Sequence, residues 1–288
     1  MRIKRKIILY PNAERDVGFA MTKQVAKLLS KLGKKLVFCP MPADYIHIEN
    51  DGFEVKDLLD ELPNAEMIIT FGGDGTILRA ARAATHAGVP ILGINLGGKG
   101  FLAELEKSDL KLLSNVAEGK YTIDSRMMLD VMVTRNEEVV YKEFALNDVV
   151  IRGDNKVVDL VVFADGKKIS HFSGDGAVIA TPTGSTAYSM SAGGPIVEDV
   201  ADNIIVTPIC AHELMAKPMV LISDRRVCIE LGKRKHNPSS ISVDGGDNYA
   251  LAEGDTITVF KSKKCTRLVR LSSRSFYKKV SEKLGDRP

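Results

Sequence analysis

The sequence lacks several features that mark specialised classes of protein. Its four cysteines, Cys39, Cys210, Cys228 and Cys265, are widely separated and form no C-x-x-C pair, which argues against a disulfide framework or a zinc site and for buried thiols. Lysine and arginine (40) nearly balance aspartate and glutamate (37), so the net charge of +3 gives no electrostatic case for a nucleic-acid or membrane-surface protein. No apolar run is long enough for a membrane span, and the run at 7–10 is too short for a signal peptide. We therefore expect a cytoplasmic chain that binds neither nucleic acid nor membranes.

The 288 residues also lack an internal repeat, a low-complexity tract and a linker rich in Pro, Gly or Ser, yet the hydrophobic pattern changes near 120–125. Before that point short apolar runs alternate with helical patterns, which predicts an open, mostly parallel sheet. These runs are 6–10, 35–39, 67–71 and 90–95, and the helical patterns are 15–32 and 76–87.

After that point runs rich in Val, Ile and Thr predict an antiparallel, sandwich-like all-β domain. The runs are 128–135, 138–152, 157–170, 176–182, 219–224, 226–231, 240–245 and 255–262, with a hairpin turn at 164–168. Apolar residues at helical spacing in 274–285 predict a last helix. We expect an α/β domain at 1–124, a β-rich domain at 125–270, and a helix within 271–288 that packs back on the first domain.

The first local motif is the turn FGGDGT at 71–76. Gly72, Gly73 and Gly75 follow an apolar strand and precede a helix predicted to begin near Thr76, so backbone N–H groups and the helix N-terminus can converge on a phosphate. The turn is neither a Walker A loop nor a G-x-G-x-x-G fingerprint. The carboxylate of Asp74 in its centre would repel a phosphate. A simpler alternative is a tight strand-to-helix connection with Asp74 or Thr76 as the N-cap.

The second motif, GDGAVIATPTGSTAYSMSAGGP at 174–195, combines small residues with hydroxyl side chains. Small residues let a ligand approach the backbone, and hydroxyls can hydrogen-bond a sugar or nucleotide. The alternative is a loop that only links two strands, although a loop of this length and polarity in a compact domain usually has a function.

The two motifs together carry a family resemblance. FGGDGT resembles the signature shared by NAD kinases, diacylglycerol-type lipid kinases and, more distantly, phosphofructokinases, whereas ATPTGSTAYSMSAGGPIV resembles the signature of NAD kinases alone. GINLGGKGFLAEL (93–105), LNDVVI (146–151) and TPICAHELMAKP (207–218) extend the resemblance over about the whole chain. It implies transfer of the γ-phosphoryl group of ATP to the 2′-hydroxyl of the adenosine ribose of NAD, with Mg²⁺ or another divalent cation as cofactor, in a homodimer or homotetramer.

The resemblance also implies roles for individual residues. Asp74 corresponds to the general base for the acceptor hydroxyl, and no protein ligand to the metal is implied. The residues placed against the nucleotides are Gly72, Gly73, Gly75, Thr76, Arg79, Phe101, Asn147, Asp148, Lys156, Ser173, Asp175, Thr183, Thr186, Ala187, Tyr188, Ser189, Met190 and Ser191.

Three positions depart from the family's pattern. Asp148 replaces a Glu, which keeps the charge and shortens the reach. Ser173 replaces an Arg, a contact that Lys167, Lys168 or His171 could supply instead. A Gln expected near 246 is absent.

Two other functions remain open at this level. A lipid or sphingoid-base kinase could use the same glycine turn, and it would need a greasy acceptor channel. A sensor could bind NAD or NADP without turnover, although the presence of Asp74 argues against it. The residues do not decide between ATP and polyphosphate as donor, or whether NADH is accepted or NADP feeds back.

Overall fold

The computed structural model describes residues 5–41, 54–98, 100–232, 237–272 and 275–285. The chain divides into two compact units, of which the first comprises Met1–Ser125 with Thr266–Pro288 and the second comprises Arg126–Cys265. Two long strands, β6 (Thr122–Arg135) and β17 (Thr256–Arg270), each begin in one unit and end in the other.

The first unit is built on a parallel sheet, as predicted. Its strands are β1 (Lys6–Pro11), β2 (Lys35–Phe38), β3 (Ala65–Gly72), β4 (Ile91–Asn95) and β5 (Leu105–Glu106), and its helices are α1 (Ala20–Lys31), α2 (Leu58–Glu61), α3 (Asp74–Ala87), α4 (Leu113–Glu118) and α6 (Phe276–Leu284). The strands lie in the order β2-β1-β3-β4-β5, and the end of β17 pairs parallel to β4. β3 and β4 are buried along almost their whole length, which explains why they appear as continuous apolar runs in the sequence.

The register of this sheet fixes where the glycine turn lies. Gly72 at the end of β3 pairs with Asn95 at the end of β4, so the turn emerges at the carboxyl edge of two parallel strands. Open parallel sheets bind ligands at this edge. The predicted last helix is also present, and Lys283 of α6 forms a 2.8 Å ion pair with Glu106 of β5.

The second unit is a sandwich of antiparallel strands, which confirms the predicted class. Its remaining elements are β7 (Glu138–Ala145), β8 (Asp148–Gly153), β9 (Val158–Ala164), β10 (Lys167–Gly174), β11 (Gly176–Ala180), α5 (Tyr188–Ser191), β12 (Asn203–Ile209), β13 (Met219–Ile222), β14 (Val227–Leu231), β15 (Ser239–Val243) and β16 (Tyr249–Leu251). One sheet has the order β13-β12-β11-β8-β15-β16, and the other contains β10-β9-β14-β17 with β6 and β7. Fully buried Val, Ile and Leu side chains from both sheets form the core between them.

Three expectations need correction. The run at 138–152 forms two strands, because the strand is broken at Leu146–Asn147, between β7 and β8. β12 was not predicted, since Pro208 lowers the strand signal of its apolar run. The proline has no N–H to donate, and it is tolerated because β13 pairs with β12 only as far as Val206. Short elements such as β5, β16 and α4 were also missed.

The thiols differ from expectation too. The described cysteines are all free, and Cys39 is buried, but Cys210 and Cys265 are exposed. The expectation of four buried thiols was therefore wrong for these two, because spacing along a chain carries no information about burial.

Candidate active site

The glycine turn joins β3 to α3 without a side-chain cap. The N-cap is Gly73, whose backbone is extended, and α3 begins at Asp74, so neither Asp74 nor Thr76 is the N-cap. The carbonyl of Gly73 accepts hydrogen bonds from the Thr76 and Ile77 amides at 3.0 and 3.4 Å. Since no side chain caps the first turn of this 14-residue helix, its earlier amides and the positive end of its dipole are available to an anion.

The glycines of the turn have two different roles. A Cβ at Gly72 would lie 2.2 Å from the Thr76 hydroxyl oxygen, so this glycine lets the strand and the helix pack together. A Cβ at Gly73 or Gly75 would meet nothing within 4 Å. The space over these two residues is open, and a ligand can approach their backbone closely.

The Asp74 carboxylate is held by a second segment of the chain. Its Oδ2 accepts the Phe101 amide at 2.8 Å and its Oδ1 accepts the Leu102 amide at 3.1 Å. A Cβ at Gly100 would lie 2.9 Å from Oδ1, so only glycine allows this approach without displacement. Burial raises the pKa of Asp74, and the amide donors and the Lys283 charge offset part of that rise.

The segment that holds Asp74 is itself anchored. Arg270 donates to the Leu102 carbonyl at 3.2 Å and forms ion pairs with Glu104 at 3.3 Å and with Asp124 at 3.0 Å. Glu104 is 4% exposed and accepts hydrogen bonds from the Ser272 amide and hydroxyl. The orientation of the Asp74 carboxylate therefore depends on a buried, charged network.

Arg79 does not take part in that network. It is exposed on α3, and its guanidinium donates to the Met41 sulfur at 3.0 Å. A phosphate contact by Arg79 would require the side chain to leave this partner.

In the second unit Asn147 and Asp148 lie at the break between β7 and β8. The Asn147 amide donates to Asp244 Oδ1 at 2.7 Å, and the Asn147 carbonyl accepts the Thr181 amide at 2.9 Å. The Asn147 side-chain oxygen is buried and has no hydrogen-bond partner in the described structure. A buried acceptor of this kind is costly unless a ligand or water donates to it.

Asp148 is 5% exposed, so its ionised form is desolvated. Burial, followed by repulsion from Asp244, raises the pKa of Asp148 to about 7. The carboxyl group thus changes charge near neutral pH.

The hydroxyl-rich segment lies against Asn147. The Thr181 hydroxyl donates to the Leu146 carbonyl at 2.6 Å and accepts the Gly184 amide at 3.0 Å. A Cβ at Gly184 would lie 2.1 Å from the Asn147 carbonyl oxygen. The structure therefore brings together Asn147, Asp148 and the 3₁₀ turn Thr183–Thr186, which the sequence separates by more than thirty residues.

Some hydroxyls of this segment are already engaged within the protein. Ser189 is fully buried, and its Oγ lies 2.9 Å from the Thr207 Oγ1. Thr183 accepts from Arg126 at 3.4 Å, and Thr186 donates to the Thr183 carbonyl at 3.3 Å. Within 183–191 the exposed or partly exposed residues are Thr186, Ala187, Tyr188, Met190 and Ser191.

Ser173 lies at the end of β10 among acidic groups. Its amide donates to Glu213 at 2.8 Å, and its hydroxyl donates to Asp159 at 3.2 Å. His171, one of the candidate replacement cations, lies 2.9 Å from the same Asp159 oxygen. Two further predicted contacts, Asp175 and Lys156, are exposed in loops.

Comparison with known proteins identifies the chain. The model of the ATP-NAD kinase N-terminal domain matches residues 17–121, and that of the ATP-NAD kinase C-terminal domain matches residues 146–271. An NAD kinase of Natranaerobius thermophilus is 39% identical over 97% of this chain and 98% of its own length, and one of Acetivibrio thermocellus is 35% identical over 98% of both chains. The chain belongs to the NAD kinase family.

Two solved structures share the family fold. The yeast NADH kinase complexed with NADH has a TM-score of 0.82 at 24% identity, covering 99% of this chain and 89% of its own. An NAD kinase from Archaeoglobus fulgidus in complex with ATP has a TM-score of 0.71 at 23% identity, covering 96% of this chain and 98% of its own. At these identities the likeness establishes the fold.

The described residues contain no group of three or more His, Cys, Asp or Glu side chains arranged to hold a metal ion. Mg²⁺ is commonly bound through substrate phosphates and water with few protein ligands, so a magnesium nucleotide needs no such cluster. None of the described helices is both long and apolar enough to cross a membrane.

Two residues of the candidate site were missed from the sequence. Asp244 binds the amides of 146–148, and buried Arg126 pairs with Asp199 at 2.7 Å while donating to Thr183. For Asp244 a signal existed, because Asp followed by two glycines at a strand end marks a turn. For Arg126 no local signal distinguishes it from a surface arginine at the start of a strand.

Proposed function

We propose that this chain transfers the γ-phosphoryl group of Mg²⁺-bound ATP to the 2′-hydroxyl of the adenosine ribose of NAD, giving NADP and ADP. In this reaction the hydroxyl loses its proton to Asp74, its oxygen forms the new bond to the γ-phosphorus, and ADP leaves with the electron pair of the broken phosphoanhydride bond. Membership of the NAD kinase family supports the choice of substrates. The geometry around Asp74, and that around Asn147 and Asp148, supports the residue roles.

The proposed donor site is the N-terminus of α3. Open backbone at Gly73 and Gly75, together with an uncapped first turn, offers N–H groups to phosphate oxygens. Mg²⁺ would neutralise phosphate charge there. The repulsion between Asp74 and the phosphates is thereby reduced, and the carboxylate is kept for the acceptor hydroxyl.

The observation that carries the proposal is the environment of Asp74. Two amide donors fix the carboxylate at the start of an uncapped helix, and burial raises its pKa, which makes it a stronger proton acceptor than a free aspartate. General-base assistance contributes roughly 10² to 10⁴ to a rate. Activity should fall as pH drops through the raised pKa of Asp74, because the protonated acid cannot accept the hydroxyl proton.

The proposed acceptor site contains Asn147, Asp148 and the segment 183–191. The unpartnered Asn147 oxygen can accept a hydrogen bond from a ribose hydroxyl or an amino group. The partly exposed Tyr188 could supply apolar contact to a ring. Phe101 remains a proposed nucleotide contact. Lys156, Ser173, Asp175 and Arg79 remain proposed contacts.

The test is an assay of NADP formation and ADP release with the 288-residue chain. Donors are ATP and polyphosphate, acceptors are NAD, NADH and diacylglycerol, and each is tried with and without Mg²⁺. We expect ATP- and NAD-dependent NADP formation in the wild type and a loss of at least about 100-fold in Asp74→Asn, which keeps the shape of the side chain. Near wild-type turnover by a folded Asp74→Asn would overturn the general-base role. Turnover of diacylglycerol alone would favour a lipid kinase, and NAD binding without ADP release would favour a sensor.

We also propose that the chain assembles as a homodimer or homotetramer. The resemblance to the family is the support for this proposal. Light scattering on the purified chain tests it, and a monomer at assay concentration would contradict it.

A further inference from the structure

Asp244 forms four hydrogen bonds to one short stretch of main chain, 146–148. Its Oδ2 accepts the Leu146 amide at 2.8 Å, and its Oδ1 accepts the Asn147 and Asp148 amides at 2.7 and 3.1 Å. Its own amide donates to the Asp148 carbonyl at 3.0 Å. One residue therefore binds three consecutive residues, of which Asn147 and Asp148 belong to the proposed acceptor site.

These contacts explain the break between β7 and β8. The amides at the break would otherwise lose their strand partners, and a carboxylate that accepts several amides replaces those partners with charge-assisted hydrogen bonds. Asp244 reaches them because it follows β15 with a φ of 50°, a left-handed conformation that Asp and Asn adopt more readily than most residues.

The other side of the same stretch is fixed as well. The Thr181 amide donates to the Asn147 carbonyl, the Thr181 hydroxyl donates to the Leu146 carbonyl, and Gly184 leaves no room between the two segments. The main chain of Asn147 is thus held at its amide by Asp244 and at its carbonyl by Thr181. The side-chain oxygen of Asn147 remains buried and without a partner in the described structure.

We infer that Asp244 is a positioning residue for the acceptor nucleotide, acting through Asn147. By fixing the main chain at 146–148 before ligand binds, Asp244 orients the side-chain carboxamide of Asn147, so that little conformational freedom is lost on binding. Its carboxylate oxygens are occupied by amides, so its effect on the ligand is indirect, and the unpartnered side-chain oxygen of Asn147 is the group through which we expect it to act. This inference rests on the proposed function, because the acceptor is taken to be NAD.

The test variant is Asp244→Asn, which tolerates the same φ but replaces one acceptor oxygen with an NH₂ group that faces amide donors. We expect KM for NAD to rise roughly 10- to 100-fold, as for loss of hydrogen bonds to a charged group, with KM for ATP changed less than about twofold. The matched control is Asp165→Asn. Asp165 also has a positive φ, of 48°, and its carboxylate also accepts a backbone amide, that of Arg226 at 2.9 Å, but it lies in a hairpin turn of the second unit. The control should leave both KM values unchanged.

A double-mutant cycle with Asn147→Ala separates positioning from general support of the fold. If Asp244 acts through Asn147, Asp244→Asn should change KM for NAD less than about threefold in the Asn147→Ala background. Full additivity of the two effects would overturn the inference. So would an unchanged KM for NAD in folded Asp244→Asn, or equal rises in KM for NAD and ATP.

Amide exchange of the wild type tests the same idea without a variant and covers the case in which Asp244→Asn does not fold. The amides of 146–148 should be protected in the absence of NAD, and exchange as fast as an exposed loop would overturn the inference. The two failures are distinguishable. A wild type that forms no NADP would overturn the proposed function, whereas an active wild type with an unaffected Asp244→Asn would overturn only the role of Asp244.

Discussion

The buried carboxyl group of Asp148 should make the chain less stable as pH rises. Its pKa is near 7 in the folded chain, against 3.8 for an ordinary aspartate. A pKa shift of one unit corresponds to about 1.4 kcal/mol. The rise in the pKa of Asp148 therefore means that its ionised form destabilises the folded state by about 4 kcal/mol above pH 7. The folded-state pKa is raised, so this cost develops as pH rises from about 4 to about 7, and at pH 5 it is under about 2 kcal/mol.

Asp148→Asn keeps the shape of the side chain and removes its titration. The other titrating groups contribute equally to the stability of both proteins, so their contributions cancel when the two are compared at the same pH. The free energy of unfolding of the variant minus that of the wild type should therefore increase by about 3 kcal/mol between pH 5 and pH 8. Urea unfolding followed by far-ultraviolet circular dichroism measures this difference. A difference that stays constant, or one that decreases toward pH 8, would refute the reasoning.

Asp165→Asn provides a control of opposite sign. The Arg226 amide, followed by the Arg225 guanidinium, lowers the pKa of Asp165, so its ionised form stabilises the folded chain at any pH above the ordinary value. This variant should be less stable than the wild type at both pH 5 and pH 8, with no gain toward pH 8.

The carboxyl group of Asp148 lies beside Asn147 and destabilises the folded chain when ionised. Such a group is consistent with a role in ligand binding, because perturbed carboxyl groups concentrate at functional sites.

Other predictions follow from packing and burial. Gly72→Ala should lower the free energy of unfolding by about 1–3 kcal/mol, because the new Cβ overlaps the hydroxyl of the neighbouring threonine. Gly73→Ala should change the free energy of unfolding by less than about 1 kcal/mol and raise KM for ATP. An equal loss of stability in both variants would contradict the different roles of the two glycines. Arg126→Met should cost about 3–5 kcal/mol by leaving Asp199 unpaired, and adding Asp199→Asn should recover part of that loss; additive losses in urea titrations would argue against the pair. Cys39 should react with iodoacetamide only after unfolding, because burial raises the pKa of its thiol to about 12, and rapid labelling of the folded chain, detected by mass spectrometry, would show that the site opens.

The fold could be predicted from the sequence where the signals are local. Continuous apolar runs mark the buried parallel strands, and runs rich in Val, Ile and Thr mark the sandwich. The hairpin turn at 164–168 is confirmed, since Asp165 and Gly166 have φ of 48° and 77°, as an Asp-Gly turn requires. The start of α3 was missed by two residues because Gly73 caps the helix through backbone geometry alone.

The site could be predicted only as motifs. The carboxylate of Asp74 and the unusual composition of 174–195 indicate chemistry, but the contacts that organise them come from distant parts of the chain. Phe101 lies 27 residues from Asp74, and Asp244 lies 97 residues from Asn147. The break at 146–147 follows from the Asp244 contacts, so no pattern within 138–152 could reveal it.

We propose above that Asp74 accepts the proton of the ribose hydroxyl during phosphoryl transfer to NAD. ATP-dependent NADP formation by wild type and Asp74→Asn, measured across the pH range in which both proteins stay folded, decides this. We expect Mg²⁺-dependent NADP formation that falls at low pH in the wild type, and a loss of at least about 100-fold in the variant at every pH. Comparable turnover of the two proteins, with the same pH profile, would contradict it.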